Sequence, residues 1–188
     1  MGRPRCICAS IPRLVTRTQI VIIIHHREVK MPTNTGRLAH LCLVDSRLVV
    51  RGLEDDPLAL EEAAPVIGTP LLLHPTDDAT VLDDRFRERT PPPYTLFVPD
   101  GSWRQASKVG RREKSLASAL RVKLAGDEPS RYRLRRETKP GGLATIEAIG
   151  RALGFLEESA VPRAELERVF SLMVERTLES RGAGGGRD

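Results

Sequence analysis

The chain has 188 residues, of which 40% are hydrophobic and 29% charged, and its net charge is +5. This composition is typical of a folded globular domain and argues against wholesale disorder. The longest apolar run, at 20–24, is far shorter than the roughly 20 residues that span a bilayer. The first 14 residues hold three arginines and no continuous apolar run. Such a start does not match a secretory signal peptide.

Basic and acidic residues are segregated along the chain. Residues 1–50 carry eight basic and two acidic side chains, 51–100 carry four and eleven, and 101–150 carry twelve and five. The two basic blocks would form a surface for a polyanion if the fold brings them together, and the simpler alternative is a set of unrelated solvated faces. The three cysteines are too few for a disulfide framework and are typical of a reducing cytoplasm.

Apolar runs alternate with amphipathic segments along most of the chain. Short runs rich in β-branched and aliphatic residues predict strands. Capping residues and apolar periodicity predict helices. Residues 77–89 favour an acidic loop or a short helix, and 131–135 a strand with one charged face or a loop. The alternation predicts an α/β domain whose mainly parallel sheet has helices on both faces. The predicted strands lie at 19–24, 47–51, 70–73, 95–98 and 120–124. The predicted helices lie at 57–64, 103–115, 143–158 and 163–179, and one more helix is expected to begin after a cap at Thr33 or Asn34.

Polar, glycine and proline residues follow three of the predicted strands, where ligands of open α/β sheets bind. These strand ends are His25, Leu73-His74-Pro75 and Pro99 to Trp103. Asp100 follows an apolar strand and precedes a helix, so it could be a general base or a plain helix cap. Trp103 could line a pocket for a flat ring or pack in the core. The sequence contains no phosphate loop, dinucleotide fingerprint or nucleophile elbow, so those chemistries have no support.

Five motifs occur in a fixed order between residue 6 and about residue 155. They are Cys-x-Cys-x-x-Ile-Pro at 6–12, Asn-Thr-Gly-Arg-Leu at 34–38, Leu-His-Pro at 73–75, Asp-Gly-Ser-Trp-Arg-Gln-Ala at 100–106, and Tyr-Arg-Leu-Arg at 132–135 followed by Leu-Ala-Thr-Ile-Glu-Ala at 143–148. Together they resemble the DTW-domain family. The family is named for an Asp-x-Thr-Trp motif, which stands here at 100–103 with serine for threonine. The resemblance implies a SPOUT-like α/β fold with a C-terminal trefoil knot.

The resemblance also implies a tRNA-uridine aminocarboxypropyltransferase. Such an enzyme moves the 3-amino-3-carboxypropyl group of S-adenosylmethionine to N3 of a tRNA uridine and releases 5′-methylthioadenosine. Asp100 is then expected to remove the N3 proton or to orient the uridine. The expected contacts with S-adenosylmethionine are Leu73, His74, Pro75, Pro99, Gly101, Ser102, Trp103, Leu143, Ala144 and Thr145. The expected contacts with tRNA are His25, Arg37, Arg104, Lys108, Arg111, Arg112, Arg133, Arg135 and Lys139.

Zinc is not expected at the Cys-x-Cys motif. Family members often carry an additional Cys-x-x-Cys ahead of it, together a plausible zinc knuckle, and this motif offers only Cys6 and Cys8. Two thiolates do not fill a tetrahedral zinc site.

Thr145 and Glu147 could equally be first-turn polar residues of an amphipathic helix with no further role.

The sequence predicts three parts and leaves two other functions open. A short N-terminal segment is expected at 1–16, one catalytic domain at 17–180, and a disordered glycine-rich tail at 181–188. The enzymatic alternative is a SPOUT-type RNA methyltransferase that uses the same S-adenosylmethionine. The other alternative is a non-enzymatic RNA-binding module in which Asp100 only caps a helix.

Overall fold

A computed structural model describes residues 6–52, 60, 64–126, 128–134 and 142–182. Within these residues, parallel strands form a six-stranded sheet. The strands are β1 (Gln19–His25), β2 (Arg47–Arg51), β3 (Thr69–Leu73), β4 (Thr80–Leu82), β5 (Tyr94–Asp100) and β6 (Leu120–Leu124). Their order across the sheet is β2-β1-β5-β3-β6-β4.

Helices cover both faces of this sheet. They are α1 (Thr35–Cys42), α2 (Phe86–Arg89), α3 (Trp103–Arg112), α4 (Thr145–Leu156) and α5 (Val161–Gly182). Apolar side chains of α1, α2, α4 and α5 pack with Ile20 and Ile22 of β1 on one face. Val109 of α3 packs with Val21 and Ile23 on the other. The prediction of an α/β domain with a mainly parallel sheet and helices on both faces is therefore confirmed.

The middle of the sheet consists of β1, β5 and β3. Ile20 to Ile24 of β1 are all buried, as expected for a continuous β-branched run in a strand that is covered on both faces. The pairing of β1 with β5 sets Ile24 beside Asp100, so the two strands end at the same edge of the sheet. Because all strands are parallel, this edge collects the carboxyl ends of every strand.

Several segments differ from the sequence predictions. Residues 77–89 contain β4 as well as the one-turn helix α2. Residues 131–134 lie in a loop with a turn, and 135 lies outside the described residues, as does most of the predicted helix at 57–64. The helix predicted to reach about 115 ends at Arg112 and is followed by a 3₁₀ turn.

The two ends of the described chain belong to the same body as the sheet. Ile7 and Leu14 are buried in the core beside α1, and Leu14 forms a β-bridge with Leu43. Helix α5 continues through Arg181 and Gly182, the first two residues of the predicted tail. Residues 183–188 lie outside the described part. Among the described helices, none has the length and apolar content required to cross a membrane.

Candidate active site

Asp100 is the last residue of β5 and lies at the carboxyl edge of the sheet. It is 7% exposed. Its Oδ2 accepts a hydrogen bond of 2.7 Å from Nδ2 of Asn34, and its Oδ1 accepts one from the hydroxyl of Thr145. The two oxygens of this carboxylate are thus held by donors from two other parts of the chain.

Both donors lie at the beginning of a helix. Asn34 caps α1, because its Oδ1 accepts a hydrogen bond of 2.7 Å from the backbone N–H of Arg37. Thr145 is the first residue of α4, and its backbone N–H donates to the hydroxyl oxygen of Thr35 at 3.1 Å. The starts of α1 and α4 are therefore linked to each other and to Asp100.

Gly36 allows α1 to approach the carboxylate. A Cβ atom at this position would lie 2.7 Å from Oδ2 of Asp100 and 2.9 Å from its Cγ. Real Cβ atoms do not come this close to other atoms, so any other residue would displace the carboxylate or the helix. Sequence reasoning missed Asn34 and Gly36 as site residues, although both lie in the Asn-Thr-Gly-Arg-Leu motif at 34–38.

Ser102, not Asp100, caps α3. The Ser102 hydroxyl accepts a hydrogen bond from the backbone N–H of Gln105 at 3.4 Å, and Oε1 of Gln105 accepts one from the Ser102 N–H at 2.7 Å. This reciprocal pair is a capping box. The idea that Asp100 is a plain helix cap is wrong, because its side chain contacts the starts of α1 and α4 instead.

His74 and Trp103 meet on the α3 face of the sheet. Their rings lie 6.2 Å apart between centroids, at an interplanar angle of 75°. Nε2 of His74 is 3.3 Å from the hydroxyl oxygen of Ser107, which donates to the backbone oxygen of Trp103. The end of β3 is thereby joined to the first turn of α3.

Glu147 ties the loop before α4 to the start of that helix. Its buried carboxylate accepts hydrogen bonds from the hydroxyl of Ser130 at 2.6 Å, the backbone N–H of Arg131 at 2.7 Å, and the backbone N–H three residues before it at 2.9 Å. The hydroxyl of Tyr132 donates to the backbone oxygen of Thr33 at 2.9 Å. Glu147 is thus more than a first-turn polar residue, because it fixes this loop to the start of α4, and Tyr132 joins the same loop to the residues just before α1.

The predicted contacts with S-adenosylmethionine surround the end of β5. The ends of β3 and β5 are neighbours in the sheet. Leu73 and Ala144 are buried in one apolar cluster, Thr145 contacts Asp100, and Trp103 contacts His74. The three segments that carry these residues therefore converge, although they are separated along the chain: 73–75, 99–103 and 143–145.

The predicted contacts with tRNA flank this junction. Helix α3 carries exposed Arg104, Arg111 and Arg112 and half-buried Lys108, whereas exposed Arg37 and Arg133 lie on the side of α1. The predicted residues Arg135 and Lys139 lie outside the described part of the chain.

His25 ends β1 on the same edge. Its Nδ1 accepts a hydrogen bond of 3.3 Å from the backbone N–H of Arg27. Burial lowers the pKa of His25, and the positive charges of His26, Arg27 and Arg51 lower it further. The Glu28 carboxylate acts in the opposite direction, and Arg51 is paired with Glu113 at 2.6 Å, so charges of both signs lie at this corner of the sheet.

Cys6 and Cys8 lie close together at the surface. The backbone N–H of Cys8 donates to Sγ of Cys6 at 3.4 Å. Nowhere in the described ranges do three or more His, Cys, Asp or Glu side chains come together as a possible metal site.

Cys42 is buried, and burial raises the pKa of its thiol to about 11.

The sequence and the fold are similar to known proteins. The family model of the DTW domain matches residues 1–178. The tRNA-uridine aminocarboxypropyltransferase 2 of Drosophila melanogaster is 28% identical over 181 residues, which cover 93% of this chain and 71% of the fly protein. The protein of the same name from Mus musculus is 28% identical over 186 residues, 95% of this chain and 62% of the mouse protein.

A solved structure shares the fold. It is that of the SAM-dependent rRNA:acp-transferase Tsr3 from Vulcanisaeta distributa, with a TM-score of 0.51 and 21% sequence identity. The similarity covers 92% of this chain and 80% of that protein. At this level of identity the likeness concerns the fold.

Proposed function

This chain belongs to the DTW domain family, and on that premise we propose that it is a tRNA-uridine aminocarboxypropyltransferase. The family assignment that the five motifs predicted is confirmed. The names of the fly and mouse relatives agree with the expected activity. The observation that carries the proposal is the position of Asp100, a buried carboxylate at the carboxyl end of a central strand, where sheets of this class bind their ligands.

The proposed reaction is a substitution at carbon. N3 of the uridine forms a bond to the γ-carbon of the 3-amino-3-carboxypropyl group, and the bond between this carbon and the sulfonium sulfur breaks. The electron pair of that bond stays on sulfur, which leaves as 5′-methylthioadenosine. The N3 proton must go to a base or to water. Because the sulfonium is already a good leaving group, the protein mainly positions the reactants and assists removal of this proton.

Asp100 is proposed to act on the uridine. It is the acidic side chain of the family motif, and each oxygen of an ionised carboxylate can accept more than one hydrogen bond. An oxygen that already binds Asn34 or Thr145 can therefore also accept a bond from N3–H. In this position Asp100 orients the base and takes up or relays its proton.

The binding surfaces are proposed from the three segments around β5. Apolar Leu73 and Ala144, with the ring of Trp103, suit the adenosine part of S-adenosylmethionine. Backbone groups of 99–103 would bind its polar edges. The basic residues of α3, with Arg37, Arg133 and His25, suit phosphates of tRNA, which would be drawn to the site by charge and shape.

The finer predictions on fold and location belong to the same proposal. We expect a SPOUT-like trefoil knot, a catalytic unit at 17–180 and a cytoplasmic location. The start of α4 at Thr145 lies beside Asp100, at the carboxyl edge where the family's knot is expected. A crystal structure would test for the knot.

Mass analysis of the product tests the proposed function. The protein is incubated with unmodified tRNA and S-adenosylmethionine, and the digested nucleosides are examined by mass spectrometry. We expect uridine that carries a 3-amino-3-carboxypropyl group, together with 5′-methylthioadenosine. A uridine heavier by one methyl group would indicate the methyltransferase instead. No product and no heat of S-adenosylmethionine binding in calorimetry would indicate an RNA-binding module.

Asp100→Asn tests the role of the carboxylate. The amide keeps the size of the side chain but cannot accept a proton, so transfer should fall by about 10²- to 10⁴-fold, the usual contribution of a positioned acid or base. Binding of S-adenosylmethionine should remain. Turnover near the wild-type rate would show that the proton leaves by another route.

A further inference from the structure

We infer that Asn34 and Thr145 are positioning residues for the proposed reaction, which fix the Asp100 carboxylate at the junction of α1, α4 and β5. The inference rests on the proposed function. It concerns residues that never need to touch the reacting atoms. It assigns to Thr145 a role different from the contact with S-adenosylmethionine that the sequence predicts.

Asn34 uses both ends of its side-chain amide. Its Oδ1 accepts from the N–H of Arg37 and its Nδ2 donates to Asp100, each at 2.7 Å. The helix cap fixes the orientation of the amide, because a flipped amide would turn its NH₂ group toward the Arg37 N–H. A residue that can cap α1 and donate to a carboxylate at the same time must offer an acceptor and a donor on one short side chain. Asparagine provides the two on separate atoms, whereas ionised aspartate has no donor and a serine or threonine hydroxyl must provide both from one oxygen.

Thr145 holds the other carboxylate oxygen. Its hydroxyl donates to Oδ1 of Asp100, while its backbone N–H is occupied by the hydroxyl oxygen of Thr35. Both donors of Thr145 are therefore used inside the protein. Neither group therefore has a proton left to donate to S-adenosylmethionine, and the hydroxyl oxygen could only accept a hydrogen bond from it.

The surroundings of Asp100 explain why it must be held in place. Helices α1, α3 and α4 all begin near this residue, and the positive ends of their dipoles stabilise a negative charge there. This attraction alone does not choose one direction for the side chain. The two hydrogen bonds do, since each comes from a different helix and binds a different oxygen. Misplacement of a reacting group by about 1 Å can cost on the order of 100-fold in rate.

The experiment compares variants that keep the helix start intact. Asn34→Asp retains an oxygen to cap α1 but replaces the donor by a second carboxylate beside Asp100. We expect kcat to fall by about 100-fold, with KM for both substrates within about twofold of wild type. Thr145→Val keeps the shape but removes the hydroxyl, and kcat should fall by about 10- to 100-fold. Thr145→Ser restores the hydroxyl and should regain most of the rate.

Ser159→Ala is the matched control. It removes the 3.2 Å hydrogen bond from the Val161 N–H at the start of α5, away from Asp100. Its kcat should equal that of wild type, even if its melting temperature falls. The inference is overturned if Asn34→Asp or Thr145→Val retains the wild-type kcat, if Thr145→Ser is as slow as Thr145→Val, or if the losses only follow the unfolded fraction.

An NMR measurement separates this inference from the proposed function. The side-chain NH₂ of Asn34 should be protected from hydrogen exchange in the wild-type protein and lose protection in Asp100→Ala. This readout needs no turnover. If the wild type forms no product, the proposed function fails while protected Asn34 protons still support the positioning of Asp100. Rapid exchange of these protons in the wild type would refute the positioning role in either case.

Discussion

The two faces of the sheet differ sharply at its carboxyl edge. On the face of α1 and α4, Asp100 is buried and bound by Asn34 and Thr145. On the face of α3, His74 and Trp103 are half-buried, and the helix presents exposed basic side chains. One face thus holds a fixed, buried carboxylate, whereas the other offers exposed positive charge.

This difference separates two tasks that an enzyme acting on RNA must perform. A group that meets the reacting atoms must be held in one geometry, which requires burial and several hydrogen bonds. A surface that binds a phosphate backbone gains from long, solvated cations, because most of its binding free energy comes from released counterions. We therefore expect substitutions on the first face to lower kcat and substitutions on the second to weaken RNA binding.

Among the substitutions that test this contrast between the faces, Gly36→Ala should produce the largest effect. The new Cβ would lie 2.7 Å from Oδ2 of Asp100, so the carboxylate or α1 must move. Overpacking of this kind costs about 1–3 kcal/mol in stability. Transfer should fall by about 100-fold or more, because the displaced carboxylate lies in the reaction site. Single-turnover rates and thermal unfolding measure the two effects.

Gly150→Ala provides the matched control for Gly36→Ala. Gly150 also lies in a helix, but the nearest atom to its new Cβ is Cβ of Leu166 at 3.7 Å, an ordinary contact. Helix propensity should then stabilise this variant by about 0.5–1 kcal/mol, with unchanged activity. Wild-type activity in Gly36→Ala would mean that Asp100 tolerates displacement. It would contradict the view that the face of α1 and α4 must hold this carboxylate in one position.

Removal of charge on α3 should produce the next largest effect. Arg104→Ala and Arg111→Ala should each weaken tRNA binding and reduce the slope of log K against log salt by about 1 if each contacts one phosphate. Arg133→Ala makes the same test on the α1 side. Arg176→Ala, on α5 and paired with Glu179 at 3.4 Å, is the control and should leave the slope unchanged. Filter binding at several salt concentrations provides the slopes.

The outcome distinguishes two ways for RNA to approach. A smaller slope for the α3 variants alone would confine the phosphate contacts to that face. A smaller slope for Arg133→Ala as well would show that RNA spans both sides of the junction. Equal slopes for all of these variants and wild type would contradict the proposed surface.

The sequence predicted secondary-structure elements correctly where a single short pattern determines the local structure. The β-branched run at 20–24 can hardly form anything but a buried strand, and Asn34 was one of two expected caps for α1. Strand β4 was missed because its three residues lie in an acidic stretch and their pairing with β6 is a tertiary contact. Three residues are too few to show the alternation of apolar and polar side chains that identifies a strand.

The site was only half predictable, for a related reason. The sequence indicated Asp100 from its place between a strand and a helix, but its partners Asn34 and Thr145 are 66 and 45 residues away. No local rule links residues so far apart. The proposal that Asp100 caps α3 failed because Ser102, two residues later, is also a good cap and forms the full capping box with Gln105.

The smallest effect should be a change at His25, at the end of β1, that is absent at His40, in the last turn of α1. Burial lowers the pKa of both His25 and His40 below 6.5, and the cations around His25 contribute as well. If tRNA phosphates approach the carboxyl edge, their negative charge favours the imidazolium, so the pKa of His25 should rise on binding. His40, near the other end of α1 and 2.8 Å from the Ser46 hydroxyl, should keep its value. NMR titration of the ring protons with and without tRNA measures both, and equal shifts at the two histidines would mean that RNA binding does not distinguish the edge that holds Asp100 from the rest of the surface.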